Sequence, residues 1–319
     1  MAQFNIFVGV DVSKARLDVH CLPGGETFAV DNTGKGRKAL VARLLRMARA
    51  GGPLAVAFEA SGGYERRLGK ALVLAGLTAF LLHAGQTRSF ALARRQHAKT
   101  DKLDALVIAR ALGALHDGLK PYVFDPRRER VVEHLRLRDR QIVTITMLKS
   151  QLEILEDAAL RRIVTREIGQ LERIVAMIEK AMRDIILADA ELAGLYRRLL
   201  AAPGVGPILA ATLIGRLGEL GTLSSRAVAA MAGLAPYDRQ SGAKDGPRRC
   251  GAGRADLRRA LYMGALAIAR MKKQNPLTQT YQRLTKAGKP FKVAIVAVMR
   301  KLLVAINAMV AKNQTWSPA

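Results

Sequence analysis

Cysteine is scarce in this 319-residue chain: Cys21 and Cys250 stand far apart, which excludes a disulfide framework or a zinc site built from cysteine pairs. A reducing cytoplasm fits that usage. No apolar stretch reads as the roughly 18 residues a membrane span needs, and the N-terminus lacks the basic-then-apolar order of a signal peptide. No membrane partner is expected. Acid is in short supply too. Against 52 Lys and Arg there are 26 Asp and Glu, a formal net charge of +26. So large an excess exceeds what solubility requires and points to a polyanion, with nucleic acid favoured over an anionic membrane. A chain this long should hold two or three domains.

Where acid is rare, its placement is informative. Asp11 in DVSK follows the apolar run Phe4 to Val10, and Glu59 in FEAS follows Leu54 to Phe58. Both runs read as buried strands, so both acids sit at strand carboxyl ends, where open α/β folds bind ligands. Asp101 and Asp104, in KTDKLD, are three residues apart at the start of a helix expected over Asp101 to Leu115, and so share one face. Four carboxylates gathered in one small site repel unless neutralised. The hard divalent ion Mg2+, or Mn2+, is the natural remedy.

The expected first domain, 1–122, has strands at Leu17 to Leu22 and Thr27 to Val30, with a turn at Pro23-Gly24-Gly25. A helix from Lys35 to Ala50, the Glu59 strand, a helix from Tyr64 to Ala75 and a strand from Leu77 to Leu82 follow. A helix from Gln86 then leads to the basic stretch Arg94, Arg95, His97 and Lys99, with Lys102 beyond it. Three strands followed by alternating helices and strands read as an RNase H-like mixed sheet, in which the first and fourth strands are neighbours and Asp11 and Glu59 meet.

From Arg127 to Ala202 Pro and Gly nearly vanish. Leu171, Val175, Ile178, Met182 and Ile185 alternate steps of four and three, and two long coiled-coil helices are expected over 123–195. They either fold on each other or are shared with another subunit, and oligomerisation is their natural role. Arginines at 127, 128, 130, 136, 138 and 140 either track phosphates or form a solvated face. The last region, 196–319, opens on LLAAPGVGPILAATLI, which resembles a helix-hairpin-helix element with Gly204 and Gly206 in its turn. The stretch APYDRQSGAKDGPRRCGAGR reads as an irregular functional loop holding Ser241 among Arg239, Lys244, Arg248, Arg249 and Arg254. Three helices broken near Pro276 and Pro290 complete the chain.

Taken in order, GVDVSK, FEASGGYE, AKTDKLDA, PGVG and GLAP…RQSG resemble the DEDD transposases of the insertion sequence 110 family, over essentially the whole chain. The resemblance implies an α/β plus all-α architecture: a RuvC-like RNase H-fold domain, a coiled-coil middle and a mainly helical C-terminal transposase domain. It assigns the four acids to Asp11, Glu59, Asp101 and Asp104 and the catalytic serine to Ser241. It further implies donor and target DNA, a structured non-coding guide RNA and a homo-oligomer, dimer or tetramer. Chemistry connects the two motif sets: a carboxylate-held ion eases deprotonation of a serine hydroxyl, and neighbouring arginines hold the phosphate. The expected site is therefore composite.

Three rivals are separable. A RuvC-like nuclease or junction resolvase would use the same acids with water as nucleophile and leave Ser241 dispensable. A non-catalytic nucleic-acid-binding protein would explain the charge but not four ordered acids. An ATP-binding protein of the actin or sugar-kinase class would need a second glycine-rich phosphate loop, which is not found.

Overall fold

A computed structural model describes residues 3–93, 101–241, 244–251 and 253–316, with side chains for all of these except 101–103, 237–241 and 244–249. The chain divides into two units, Met1–Phe124 and Asp125–Ala319.

The first unit is built on one mixed sheet. β1 (Ile6–Val12), β2 (Arg16–Leu22) and β3 (Thr27–Asp31) form an antiparallel meander. β4 (Leu54–Glu59) returns parallel to β1, and β5 (Thr78–Leu82) lies parallel to β4. The order β3-β2-β1-β4-β5 is that of an RNase H-fold sheet, with β1 and β4 side by side as the sequence pattern predicts. β4 reads LAVAFE and is buried along its length, so its apolar run is continuous and not alternating. α1 (Gly34–Gly51), capped by Thr33, and α2 (Glu65–Leu74) cover one face. There Leu40, Leu44, Leu68 and Leu72 pack on Val8, Val10, Val19 and Phe58. Each such side chain, fully removed from water, contributes about 1.5–3 kcal/mol. α3 (Ala84–Ala93) follows β5, and α4 (Asp101–Leu115) lies across the opposite face, packing Ile108, Ala111 and Leu112 on Ala55, Ala57, Phe80 and Leu82.

The second unit is helical. α5 (Pro126–Ile154) and α6 (Ala158–Leu187) are joined by three residues and fold back on each other, sharing the seam Ile145, Ile168 and Val175. The sequence reads as two long helices to Ala202, but a third, α7 (Ala190–Leu200), is set off by Asp189, whose carboxylate caps it through Leu192 N. No proline or glycine marks that break, so hydrophobic spacing alone runs through it. α8 (Pro207–Arg216), α9 (Ser225–Met231), α10 (Ala255–Ala269), α11 (Pro276–Lys286) and α12 (Phe291–Ala311) surround one core with the base of the long hairpin. That core draws on Leu135 and Ile186 as well as Leu213, Leu261 and Leu302, so the 123–195 and 196–319 segments share it.

Two expectations are corrected here. The stretch around Ser241 is not irregular: β6 (Pro236–Ser241) and β7 (Lys244–Cys250) pair as an antiparallel hairpin, with a register irregularity between Tyr237 and Arg239. And α12 is long and apolar enough to cross a membrane, although Arg300-Lys301 breaks its apolar run in the sequence. Half of its apolar window is buried inside the protein, where Ile295, Val298, Leu302 and Ile306 are core residues, so it is accounted for as a central helix.

Candidate active site

The last paired residues of β1 and β4 are Val10 and Phe58; the next residue on each strand is Asp11 and Glu59. Gly9 is opposite Ala57, and Ala57 faces α4. Side chains alternate along a strand, so Asp11 and Glu59 share the α4 face two residues further on. α4 comes unusually close to that face. A Cβ on Gly9 would lie 2.1 Å from the carbonyl oxygen of Ala105 and 2.4 Å from the amide nitrogen of Ala109. Only glycine permits this approach, and Asp104 is the residue before Ala105 on the helix so held. Asp11, Glu59 and Asp104 are all half-buried. Asp101 opens α4 one turn earlier; its side chain lies outside the described residues.

Around these acids are further polar residues that hold the site. Thr87 on α3, buried, donates its hydroxyl to Glu59 Oε1. Glu65, also buried, accepts from Ser61 N at 3.0 Å, Ser61 Oγ at 3.2 Å and Gly63 N at 2.8 Å, fixing the loop that leaves Glu59. Asp18 is the cross-strand partner of Asp11 and is buried, with Arg16 Nε 3.0 Å from its Oδ1. His20, two residues on, shares a hydrogen bond of 2.8 Å with Thr27 Oγ1. Burial and the charge of Arg110 hold its pKa below the ordinary value, so the ring is neutral at neutral pH. Cys21 points to the opposite face, where burial first, and Glu26 second, push its thiol up to about 11. Asp18 is foreshadowed by its place opposite Asp11 in the hairpin, and Glu65 closes the FEASGGYE motif, whereas Thr87 carries no signal in sequence.

An all-oxygen donor set on one face suits a hard divalent cation by its chemistry. Among the described residues no three His, Cys, Asp or Glu side chains are gathered tightly enough to hold an ion. The described acids thus provide the right donors along two strand ends and a helix, and not a closed cage.

Ser241 ends β6 and is paired with Lys244 of β7; Gln240 is opposite Asp245, Arg239 opposite Gly246 and Tyr237 opposite Arg249. The side chains of Ser241, Arg239, Lys244, Arg248 and Arg249 lie outside the described residues, as do Arg94, Arg95 and Lys99 altogether and the side chain of Lys102. Arg254, expected beside the phosphate, is engaged elsewhere. Its guanidinium forks onto Glu219 at 3.0 and 2.7 Å and reaches the Arg216 carbonyl at 2.5 Å. Gly204 has φ +74, and a Cβ there would meet the Gly264 carbonyl oxygen at 2.5 Å, so the tight packing of the α7–α8 turn on α10 already requires glycine. Gly206, the N-cap of α8, faces open space.

A five-stranded sheet in RNase H order, with acids ending its adjacent central strands, defines the class of fold and site. Comparison with known proteins supplies the family. Residues 8–159 match a DEDD transposase family of the IS110 type, and residues 196–283 match the family described as "Transposase IS116/IS110/IS902 family". The chain belongs to the IS110 family of transposases and is a DNA transposase/recombinase. Among curated proteins it is similar to the pilin gene-inverting proteins of Moraxella bovis and Moraxella lacunata. Each is 23% identical over 322 residues, covering 97% of this chain and 97% of the relative. Among solved structures, RuvC of T. thermophilus in complex with a Holliday junction substrate overlays 37% of this chain and 99% of its own, at 16% identity and a TM-score of 0.29.

Proposed function

We propose that this transposase cuts and rejoins DNA through a phosphoserine intermediate on Ser241, with a divalent ion, Mg2+ or Mn2+, held by Asp11, Glu59, Asp101 and Asp104. The observation that carries the reading is the meeting of β1 and β4. Acids from two distant motifs end abreast on one face, and Gly9 lets α4, which carries Asp101 and Asp104, approach that face closely. A bound divalent ion would ease deprotonation of an attacking hydroxyl and offset charge on the scissile phosphate. The remaining steps belong to the chain. Ser241 Oγ attacks phosphorus: an Oγ–P bond forms while one bridging P–O bond to the sugar breaks. The serine proton passes to a carboxylate or water, and the departing sugar oxygen takes one up. Attack by the free hydroxyl of a second strand reverses the sequence, so rejoining needs no nucleotide cofactor.

Arg239, Lys244, Arg248 and Arg249 on the β6–β7 hairpin hold the phosphate. Arg94, Arg95, Lys99 and Lys102, with the turn at Gly204 and Gly206, supply further backbone contacts; Arg254 supports α10 instead. Donor and target DNA are joined by a structured non-coding guide RNA, a second polyanion that the net charge of +26 accommodates. The α5–α6 hairpin is a coiled-coil module for a dimer or tetramer, a role supported by Met147, Ile154, Ile163 and Met177, which lie exposed along it.

The test is Ser241→Ala, which removes the nucleophilic oxygen with little change in volume. The variant should fold and bind DNA yet neither cleave nor recombine. Wild-type protein trapped on a suicide substrate should give a denaturant-resistant adduct mapping to Ser241. Asp11→Asn and Asp104→Asn should abolish cleavage and leave DNA binding intact. An adduct at Tyr237, or cleavage persisting in Ser241→Ala, refutes the serine mechanism; full activity in chelator refutes the metal.

A further inference from the structure

Glu59 is fixed along its backbone from both directions. Its register against Leu82 of β5 sets the strand end, and Glu65 holds the loop beyond it. What remains free is the side chain, whose three torsions could aim the carboxylate in many directions. Thr87 removes that freedom. It is 4% exposed, and its hydroxyl donates to Glu59 Oε1 while lying 3.1 Å from the Ala84 carbonyl in the first turn of α3. A hydroxyl carries one proton, and both neighbours are acceptors. The pairing with the charged carboxylate is the stronger of the two. Threonine gains nothing as a helix former in α3; the Ala84 carbonyl of its own helix is the alternative acceptor, and the weaker one.

We propose that Thr87 is a positioning residue for the strand-cleavage reaction: by occupying Oε1 it fixes the Glu59 carboxylate so that Oε2 is the oxygen presented to a divalent cation. This rests on the reading of Glu59 as a metal-holding acid. Carboxylates that ligate metals are themselves held by hydrogen bonds, and removing such a partner typically weakens metal affinity or activity about 10–100-fold. It also gives α3 a purpose, since the helix that carries Thr87 precedes the segment leading to Asp101.

The test titrates Mn2+ into the full-length chain by calorimetry, comparing wild type with Glu59→Gln, Thr87→Val and Thr87→Ser. Thr87→Val keeps the shape and loses the hydroxyl, and should weaken Mn2+ binding about 10–100-fold. Thr87→Ser keeps the hydroxyl and should bind close to wild type. Should the valine variant prove unstable on melting, Thr87→Ala against Thr87→Ser isolates the same oxygen. Excess Mn2+ should restore strand cleavage to the hydroxyl-less variants and not to Glu59→Gln. Loss of binding in Glu59→Gln with wild-type binding in Thr87→Val overturns the Thr87 assignment alone. A wild-type chain that binds no Mn2+, or a Glu59→Gln variant that binds it normally, overturns the metal reading and this inference with it.

Discussion

Replacing Gly9 by alanine adds one methyl group far from any proton or phosphate, yet it should disable the enzyme. The new Cβ would lie 2.1 Å from the Ala105 carbonyl oxygen and 2.4 Å from the Ala109 amide nitrogen. Both obstacles are backbone, so no rotamer change relieves them. α4 must retreat from β1 by about 1.4 Å to recover ordinary contact distances. Overpacking of this kind costs about 1–3 kcal/mol, and the melting midpoint should fall by roughly 5–15 °C. The retreat also carries Asp104 away from Asp11 and Glu59, and a misplacement of about 1 Å can cost about 100-fold in rate. The assays are circular-dichroism melting and cleavage of DNA carrying the element's ends. Gly113→Ala is the control: it lies in the same helix, but its added Cβ would sit 3.7 Å from the Phe7 ring, an ordinary contact. A Gly9→Ala protein that melts and cleaves like wild type would refute the close docking of α4 as what assembles the acids.

Two further predictions concern charge. Affinity for duplex DNA should fall by roughly three orders of magnitude between about 50 and 200 mM salt as displaced counter-ions lose their entropic advantage; a flat filter-binding response would contradict a polyanion surface. Arg127 ties the α5 cap to the α7 cap, meeting Asp125 at 3.0 Å, Asp189 at 3.1 Å and Glu191 at 2.9 Å. Partial burial raises the Asp125 pKa, but the hydrogen bonds and charge of Arg127 outweigh it, and that carboxyl lies below the usual value. Asp189 is lowered by the Leu192 amide first and by Arg127 second. Carboxyls depressed in the folded state add stability above their unfolded pKa near 3.9 and lose it as pH falls through the folded value. Arg127→Gln should therefore melt below wild type at pH 7, with the gap closing below about pH 4; a gap that widens in acid would overturn this assignment.

The parts of the fold legible in sequence are those where one physical signal stands alone. β1 and β4 are apolar runs ended by an acid, α4 runs from Asp101 to Leu115 as its spacing predicts, and Pro276 starts α11. Illegible parts have competing signals. β6 and β7 read PYDRQS and KDGPRRC, poor in β-branched residues and holding Pro236, Gly246 and Pro247, so strand propensity points away from them. They exist because antiparallel pairing satisfies their backbone, a tertiary gain that propensity does not register. Of the candidate site, Asp11 and Glu59 were legible because strand ends are. Thr87 was not, because it meets Glu59 across 28 residues with nothing in its surroundings to mark it.

The same distinction sorts the cations. In sequence, the basic residues of the C-terminal unit form one population, all equally eligible to meet phosphate. In the fold they divide. Arg254 is committed to Glu219 at 2.7 Å; Arg216 to Asp139 at 3.0 Å and to Asp256; Arg138 to Glu179 at 2.7 Å. These pairs bind α5, α6, α8 and the start of α10 into one ionic seam. These pairs are partly buried, and a guanidinium already held on a carboxylate must give up that partner before it can neutralise a phosphate. The 52 lysines and arginines therefore overstate the cations free to meet nucleic acid, whereas the net charge of +26 already subtracts the acids they pair with. The salt dependence of binding should count only the cations outside the seam.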